Sequence, residues 1–276
     1  MFYDTTPFME KLEGTRDDRV HAIVVLLPSE SKRLIARGVL ALPEVKRVRK
    51  DGLFVISRGT STAYIAEELL GVKLPKGNCT AGIVTDGRLA VTLPQDQVGP
   101  WVFRKGAKSE EPAEQALKEF TATDVSVKGA NAIDPQGNAG VLAANEFGGT
   151  IGAIWPVLAA RGSHLVVPVG LEKMIPSVEK AAWQCGNRMW KYVMGAKVAL
   201  MPASNAEVVT EIEALALLTG VHATHVASGG IGGTEGAVIL ALEGSDAVVK
   251  RAFDLVKSIK GEPPIEMPRL QPPVYA

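Results

Sequence analysis

Polar and glycine residues follow two apolar runs of this chain, as ligand-binding residues follow the strands of a parallel sheet. The runs cover residues 125–127 and 165–169, and each stops at glycine and polar side chains. Buried parallel strands read as continuous apolar runs, and ligands bind in the crevice beyond their carboxyl ends. The pattern predicts a binding site between Asp124 and Pro176 without naming a reaction.

The first run leads into Lys128, Asn131 and Asp134, a cation, an amide and a carboxylate at one predicted strand end. This combination suits an oxygen-rich ligand, and glycine at 129 allows close backbone approach. We expect Lys128 and Asn131 to contact the ligand, and Lys128 and Asp134 are candidates for catalysis. Alternatively, Asn131 and Asp134 only shape the loop that continues into the Asp-Pro-Gln-Gly-Asn turn at 134–138.

The sequence Arg-Gly-Thr-Ser-Thr at 58–62 lies between a predicted strand and a predicted helix. Unpaired backbone amides and the helix dipole favour an anion at such a point. Gly59, Thr60, Ser61 and Thr62 are therefore predicted to bind a phosphate or carboxylate. The alternative is an ordinary helix cap, which needs only one hydroxyl, and neither the Walker nor the dinucleotide-binding fingerprint is present.

A carboxylate precedes glycines at another predicted helix start. Backbone donors at Gly148, Gly149 and Thr150 would stabilise developing negative charge, and Glu146 beside them would act as nucleophile or general base. The same glycines are also compatible with tight helix packing alone.

Two further features follow predicted strands. Glu172 and Lys173 come directly after the second apolar run, as ligand contacts or as a solvated helix start. The glycine-rich loop 229–236 is compatible with a flap that closes over a ligand or with a long hairpin loop.

The elements that would position these residues alternate between strands and helices. The spacing predicts a helical region at 29–51 that breaks at Pro43, strands at 53–57, 124–128 and 165–169, a hairpin at 83–91, and helices at 64–70, 111–120 and 149–161, the last kinked at Pro156. Such alternation predicts an α/β domain over residues 1–195, with a parallel Rossmann-like sheet covered by helices.

The order of elements changes after residue 195. The sequence predicts strand 198–202, helix 205–218, strands 224–228 and 237–242, and helix 246–259. This β-α-β-β-α order predicts a C-terminal ferredoxin-like α+β subdomain over residues 196–276. Ser204 and Glu207 have the spacing of a capping box, and the proline-rich residues 262–276 predict an extended tail.

The composition of the chain argues against several classes of binding partner. The chain has 276 residues, 46% of them hydrophobic, and a formal net charge of +0. No basic block is interleaved with aromatic residues, which argues against nucleic acid, and no apolar segment reaches the roughly 20 residues of a membrane helix. Cys79 and Cys185 are far apart, which argues against a disulfide framework or a structural zinc site. We expect a cytoplasmic homo-oligomer that binds a small anionic metabolite without a metal or cofactor.

Several of these motifs resemble one superfamily, that of ribose-5-phosphate isomerase A, glucosamine-6-phosphate deaminase, DeoR-type sugar-phosphate sensors and CoA transferases. The turn 58–62 resembles its phosphate or CoA loop, and 128–134 resembles the acidic strand end of the isomerase. Residues 165–176 are similar to the lactate-utilisation domain of the same superfamily. The predicted C-terminal subdomain is also similar to part of the isomerase.

The resemblance implies a function class and leaves the reaction open. The isomerase has acids where this chain has Lys128, Asn131 and Ala132 and shares only Asp134, so its acid-base set is not carried over. A CoA transferase would use a glutamate nucleophile beside a glycine-rich loop, and Glu146 is the nearest candidate. The resemblance thus implies an isomerase- or transferase-type enzyme acting on a sugar phosphate or CoA-linked metabolite, or a non-catalytic sensor or accessory subunit.

Overall fold

Fourteen strands and eight α-helices make up the described part of the chain, residues 1–271 of a computed structural model. The strands are β1 (Val20–Leu26), β2 (Leu53–Ile56), β3 (Gly82–Thr85), β4 (Arg88–Val91), β5 (Trp101–Arg104), β6 (Ala107–Ser109), β7 (Val125–Val127), β8 (Ala132–Ile133), β9 (Ala139–Ala143), β10 (His164–Pro168), β11 (Ala199–Ala203), β12 (Glu207–Val209), β13 (His222–Gly229) and β14 (Ala237–Gly244). The helices are α1 (Pro28–Ala41), α2 (Pro43–Asp51), α3 (Thr60–Leu70), α4 (Ala113–Glu119), α5 (Gly149–Arg161), α6 (Val178–Trp183), α7 (Glu211–Thr219) and α8 (Asp246–Ser258).

A six-stranded mixed sheet forms the centre of this mixed α/β fold, in the order β12-β10-β7-β2-β5-β6. The first four strands are parallel, and β5 and β6 run antiparallel to their neighbours. All residues of β2 and β7 are buried, as expected for strands with helices on both faces. The carboxyl ends of β2, β7 and β10 therefore lie at the same edge.

Three smaller sheets complete the fold. Strands β1, β14 and β13 form an antiparallel sheet in that order, and β11, β9 and β8 form another. The β3–β4 hairpin turns at Asp86 and Gly87, whose φ angles are 53° and 65°. Asp-Gly is favoured there because both residues tolerate positive φ.

Helix α1 packs between the central sheet and the β1-β14-β13 sheet, and it contacts α3 and α7. Its residues Leu34, Ile35 and Val39 are fully buried. Pro28 occupies the first turn of α1, and the Glu30 carboxylate accepts the Leu27 amide at 2.8 Å, which satisfies a donor at the helix start. The apolar residues therefore anchor α1 in the core, and the Glu30 cap stabilises its first turn.

Much of the predicted order is confirmed. The helical region breaks between α1 and α2 at Pro43, the hairpin lies at 82–91, and α5 contains Pro156. Strands β2 and β7 are parallel neighbours in one sheet, as predicted. Within residues 1–271, no helix has the length and apolar character of a membrane span.

Three predictions are corrected. The central sheet is mixed rather than parallel, because β5 and β6 extend it in the antiparallel direction. The helix predicted from residue 205 begins at Glu211, and β12 takes the place of its first turn. The capping box predicted at Ser204 and Glu207 is therefore wrong, and Thr210 with Glu213 forms the box.

Strand pairing around the predicted C-terminal unit also differs from expectation. The strand predicted at 198–202 corresponds to β11, which pairs with β9 rather than with β13 or β14. Strand β1 fills that place and pairs with β14. The boundary at residues 195 and 196 stays a prediction. Of the predicted tail, residues 272–276 lie outside the described residues, and Leu270 forms an antiparallel bridge with Thr92.

Candidate functional site

A cavity of about 680 Å³ opens beyond the carboxyl ends of β2 and β7. Its walls come from the start of α3, the β3–β4 hairpin, β9, the start of α5 and residues 265–267. This volume lies within the range of about 300–1,000 Å³ that is typical of small-molecule sites. The cavity is therefore large enough for a metabolite.

Four cationic side chains line this cavity: Lys32, Arg58, Lys128 and Lys173. Lys32 comes from α1, Arg58 and Lys128 follow β2 and β7, and Lys173 lies in a short 3₁₀ turn after β10. Among the described lining residues, Glu266 is the single acidic residue. The cavity wall is thus strongly positive although the whole chain is neutral.

The two inner lysines make hydrogen bonds only to backbone carbonyl groups of the described chain. Lys128 Nζ donates to the oxygens of Arg58 at 3.3 Å and Gly129 at 3.4 Å, and Lys173 Nζ donates to Ala130 O at 2.9 Å. Neither lysine forms an ion pair with a described carboxylate. Their charges are therefore available to an anion in the cavity.

Burial disfavours the charged form of both lysines. Both residues are half-buried in the cavity wall. Burial, followed by the positive charge of Lys173, lowers the pKa of Lys128 from 10.5 to about 8. Burial also lowers the pKa of Lys173. The negative charge of Glu172 opposes this shift, and the positive charge of Lys32 adds to it. A bound anion would relieve this repulsion.

Arg58 and the first turn of α3 supply further donors. Arg58 Nε is buried and has no hydrogen-bond partner among residues 1–271. Gly59, Thr60 and Ser61 line the cavity, and first-turn amides have no acceptor within their own helix. An anion at this position would satisfy the guanidinium and the amides together.

A second helix start faces the same cavity. Helix α5 begins at Gly149 after Gly148, whose φ of 79° is in the left-handed region that favours glycine. Gly148, Gly149 and Thr150 all line the cavity. The positive ends of α3 and α5 therefore both contribute to its field.

The four cations and the two helix starts share one cavity, which is the candidate functional site. Comparisons of the chain with protein-family models, with curated proteins and with solved structures give no match. The resemblance to the sugar-phosphate isomerase and CoA transferase superfamily stays a prediction from motifs.

Two neighbouring carboxylates lie behind the cavity wall, the buried Glu211 and the partly buried Glu172. Glu211 Oε2 accepts the Leu171 amide at 3.0 Å, and Glu172 Oε1 lies 3.6 Å from Lys32 Nζ. The other oxygen of each carboxylate is buried without a hydrogen-bond partner within the described chain. Burial, and then the negative charge of Glu172, raise the pKa of the Glu211 carboxyl. A protonated Glu211 would relieve the repulsion between the two groups.

Most of the sequence-predicted ligand residues come together at this cavity. The predicted residues in its wall are Gly59, Thr60, Ser61, Lys128, Asn131, Gly148, Gly149, Thr150 and Lys173. The Asn131 side chain also fixes β9, because its Oδ1 accepts the Leu142 amide at 3.0 Å. Thr62 lies outside the wall and is fully buried, with its hydroxyl donating to Gly59 O at 2.9 Å. Glu172 lies behind the wall, against Lys32.

Two of the predicted catalytic residues lie outside the wall. Asp134 is buried, and its carboxylate accepts the backbone amides of Gln136, Asn138 and Val178. Burial opposes ionisation of Asp134, but these hydrogen bonds outweigh it and hold its pKa below the usual value. The alternative interpretation of Asp134, as a residue that shapes the loop, accounts for the contacts with Gln136 and Asn138, and the Val178 contact ties this loop to the start of α6.

Glu146 is exposed on the protein surface. It pairs with Arg188 at 2.7 Å, and 53% of its side chain is accessible to solvent. The hydrogen bond and the charge of Arg188 lower the pKa of Glu146. A general base needs the opposite shift, which burial would produce. The catalytic role of Glu146 stays a prediction, and this environment does not favour it.

Lys32 was not among the predicted site residues, although its spacing carries a signal. Lys32 lies three residues before Ile35 and seven before Val39, on the buried stripe of α1. A cation in such a stripe indicates a buried partner or ligand. No sequence pattern predicts that residues 265–267 contribute to the wall. These residues are far along the chain from the other wall residues, and tertiary contacts alone bring them to the cavity.

Proposed function

We propose that the protein binds a small anionic metabolite, a sugar phosphate or a CoA-linked compound, in this cavity. One observation carries the proposal: Lys32, Arg58, Lys128 and Lys173 line a single cavity whose described wall has one acidic residue. Buried cations are costly unless they are paired. A ligand with one or more negative charges is the partner that this arrangement lacks.

The geometry favours a ligand with both polar and apolar parts. The cationic residues and the start of α3 suit a phosphate, because backbone amides and guanidinium groups donate to its oxygens. Ile83, Val91, Val141 and Ile151 line other parts of the wall and suit carbon atoms of the ligand. Such a division is usual in metabolite sites, where a few polar groups fix the orientation.

The proposal includes a metabolic enzyme of the isomerase or transferase type, acting as a homo-oligomer. Its alternative is a non-catalytic sensor or accessory subunit. The exposed, paired state of Glu146 and the fully hydrogen-bonded state of Asp134 favour that alternative over chemistry by these two carboxylates. Lysine chemistry is a separate possibility, since Lys128 has no competing carboxylate within the described chain.

The finer description of the fold belongs to the same proposal. The four parallel strands of the central sheet support a Rossmann-like core. The antiparallel β1-β14-β13 sheet with α7 and α8 packed against it supports a ferredoxin-like unit that recruits an N-terminal strand.

Calorimetry with a panel of sugar phosphates, CoA esters and nucleotides tests the proposal. We expect one class to bind, and we expect Arg58→Met to weaken its affinity at least tenfold, because a charge-assisted hydrogen bond contributes about 1.5–3 kcal/mol. Arg49→Met is the matched control, since Arg49 is an exposed residue of α2 and lies outside the wall. Equal affinity of both variants, or no binding by the whole panel, would contradict the proposal.

A further inference from the structure

Lys128 has the longest hydrogen bonds of the three cavity lysines. Its two bonds, at 3.3 and 3.4 Å, go to carbonyl oxygens. Lys173 donates at 2.9 Å to Ala130 O, and Lys32 donates at 3.1 Å to Pro28 O and faces Glu172. Of the three ammonium groups, that of Lys128 is therefore held least firmly by the protein.

The surroundings of Lys128 favour its neutral amine. Its pKa is lowered from 10.5 to about 8 by burial and by the neighbouring charge of Lys173. At pH 7 this shift raises the neutral fraction about 300-fold over that of an ordinary lysine. Burial and an adjacent cation are the two devices that convert a lysine into a nucleophile.

We propose that Lys128 forms an imine with the aldehyde or ketone group of a metabolite that also carries a phosphate or carboxylate. This inference rests on the proposed binding of an anion in the same cavity. Arg58, Lys173 and the start of α3 hold the anionic group, and the carbonyl carbon lies within reach of Lys128 Nζ. Fixing both groups in one cavity makes the attack effectively intramolecular.

The step balances without any oxidant or reductant. The lone pair of the neutral Lys128 amine forms a bond to the carbonyl carbon, and the carbonyl electron pair moves to oxygen, which takes a proton. Nitrogen loses one proton, the hydroxyl group takes another and leaves as water, and the nitrogen lone pair forms the C=N bond. One amine, one carbonyl group and one proton become a protonated imine and one water molecule.

The electrostatic field of the cavity also acts on the protonated imine. Its positive charge replaces that of an ordinary ammonium group, so the repulsion from Lys173 persists unless the anionic group of the ligand is present. The imine is therefore stabilised by ligands that carry both functions, and a neutral aldehyde lacks this advantage. The chemistry selects carbonyl compounds with a negative charge.

Reductive trapping tests this inference. The full-length protein is incubated at pH 7 with glyceraldehyde 3-phosphate or pyridoxal 5′-phosphate and sodium cyanoborohydride, whose hydride adds to the imine carbon, and the adduct is mapped by peptide mass spectrometry. We expect labelling of Lys128 at least tenfold above that of the exposed Lys50. Unphosphorylated glyceraldehyde should label Lys128 at least tenfold less.

Variants separate the nucleophile from the anion contacts. Lys128→Arg keeps a cation and should abolish the adduct, whereas Lys50→Arg should leave the labelling of Lys128 unchanged. Lys173→Arg keeps a positive charge and should retain the adduct at Lys128. An adduct of the same yield on another cavity lysine in Lys128→Arg would overturn the assignment.

Binding of glycerol 3-phosphate, which has no carbonyl group, is measured in parallel by calorimetry. If it binds and neither aldehyde labels Lys128 above Lys50, the imine proposal is wrong and anion binding stands. If neither glycerol 3-phosphate nor any member of the earlier panel binds, the proposed function itself fails. Labelling at Lys128 that glycerol 3-phosphate suppresses supports both.

Discussion

Gly38 of α1 lies against Ala214 of α7 so closely that a Cβ atom at position 38 would stand 2.6 Å from the Ala214 Cβ. Two non-bonded carbon atoms cannot lie this close, so the two helices would have to move apart. Helix α1 carries Lys32 to the cavity and α7 begins at Glu211. The contact thus sets the spacing of two helices that support the site.

Gly38→Ala should lower the free energy of unfolding by about 1–3 kcal/mol, because the added methyl group forces the helices apart. Urea denaturation measures the change. Gly82→Ala is the control, since its nearest neighbour, Ala90 O, would lie 4.0 Å from the new Cβ. Similar stabilities of the two variants would show that the helices separate without cost.

Lys128→Met should stabilise the ligand-free protein. The pKa of Lys128 is lowered from 10.5 to about 8, so protonation costs the folded state about 1–3 kcal/mol at pH 7. The gain should be full below pH 8, shrink as the pH rises and vanish above about pH 10.5, where the amine is neutral in both states. Thermal unfolding across this range measures it, with Lys50→Met as control. A loss of stability at pH 7 would contradict the stated cost.

His164→Gln should destabilise the protein in acid only. The hydrogen bond from His164 Nδ1 to Glu207, at 2.8 Å, is the main cause of the raised pKa of this histidine. Because the pKa is raised in the folded protein, the imidazolium stabilises the folded state fully below the pKa of unfolded histidine, about 6.5. This contribution disappears as the pH rises through the pKa of His164 in the folded protein. We expect a difference of up to about 1 kcal/mol at pH 5.5 and none at pH 8.5. A pH-independent difference would mean lost packing instead.

Glu146→Gln should leave the free energy of unfolding nearly unchanged, because exposed ion pairs contribute little. Affinity for the metabolite should also stay unchanged, since Glu146 pairs with Arg188 outside the cavity wall. Calorimetry with the ligand found in the panel checks this. A large loss of turnover in an identified reaction, with affinity retained, would instead establish the catalytic role predicted for Glu146 from the sequence.

Arg33→Met should be among the most destabilising substitutions in α1. Arg33 is buried and pairs with Glu67, Glu68 and Glu262. Its removal leaves the largely buried Glu262 without an ion-pair partner, whereas Glu67 keeps Lys76 at 2.8 Å and Glu68 keeps Arg37; an unpaired buried charge costs about 3–5 kcal/mol. Chemical denaturation measures the loss, and adding Glu262→Gln in the same chain should recover part of it. A double variant no more stable than Arg33→Met would show that Glu262 does not need the partner.

The elements that position the site were predictable where local patterns act alone. Asp86-Gly87 fixes a tight hairpin turn, and Pro43 cannot continue the helix that ends at Ala41, so both features were visible in the sequence. The ends of β2 and β7, before Arg58 and Lys128, could be placed for the same reason, because buried strands are apolar runs that stop at glycine or polar residues.

Features that depend on distant partners were not predictable. The ion pair of Glu146 depends on Arg188, which is distant in sequence and lies in a segment without regular structure. Strand β9 was missed because Ala139–Ala143 contains alanine and glycine, which have low strand propensity, and its pairing with β11 decides its conformation. Tertiary contacts override local preference in both cases.

Strand β1 is synthesised long before its partner β14, since Val24 pairs with Leu240. Until β14 is made, the amide and carbonyl groups of β1 lack this pairing, and the apolar Ile23 and Val25, which stay exposed in the finished fold, add to an edge that other chains can join. Pairing over such a sequence separation is slow to form. The growing chain therefore passes through a long interval in which this edge is open to aggregation.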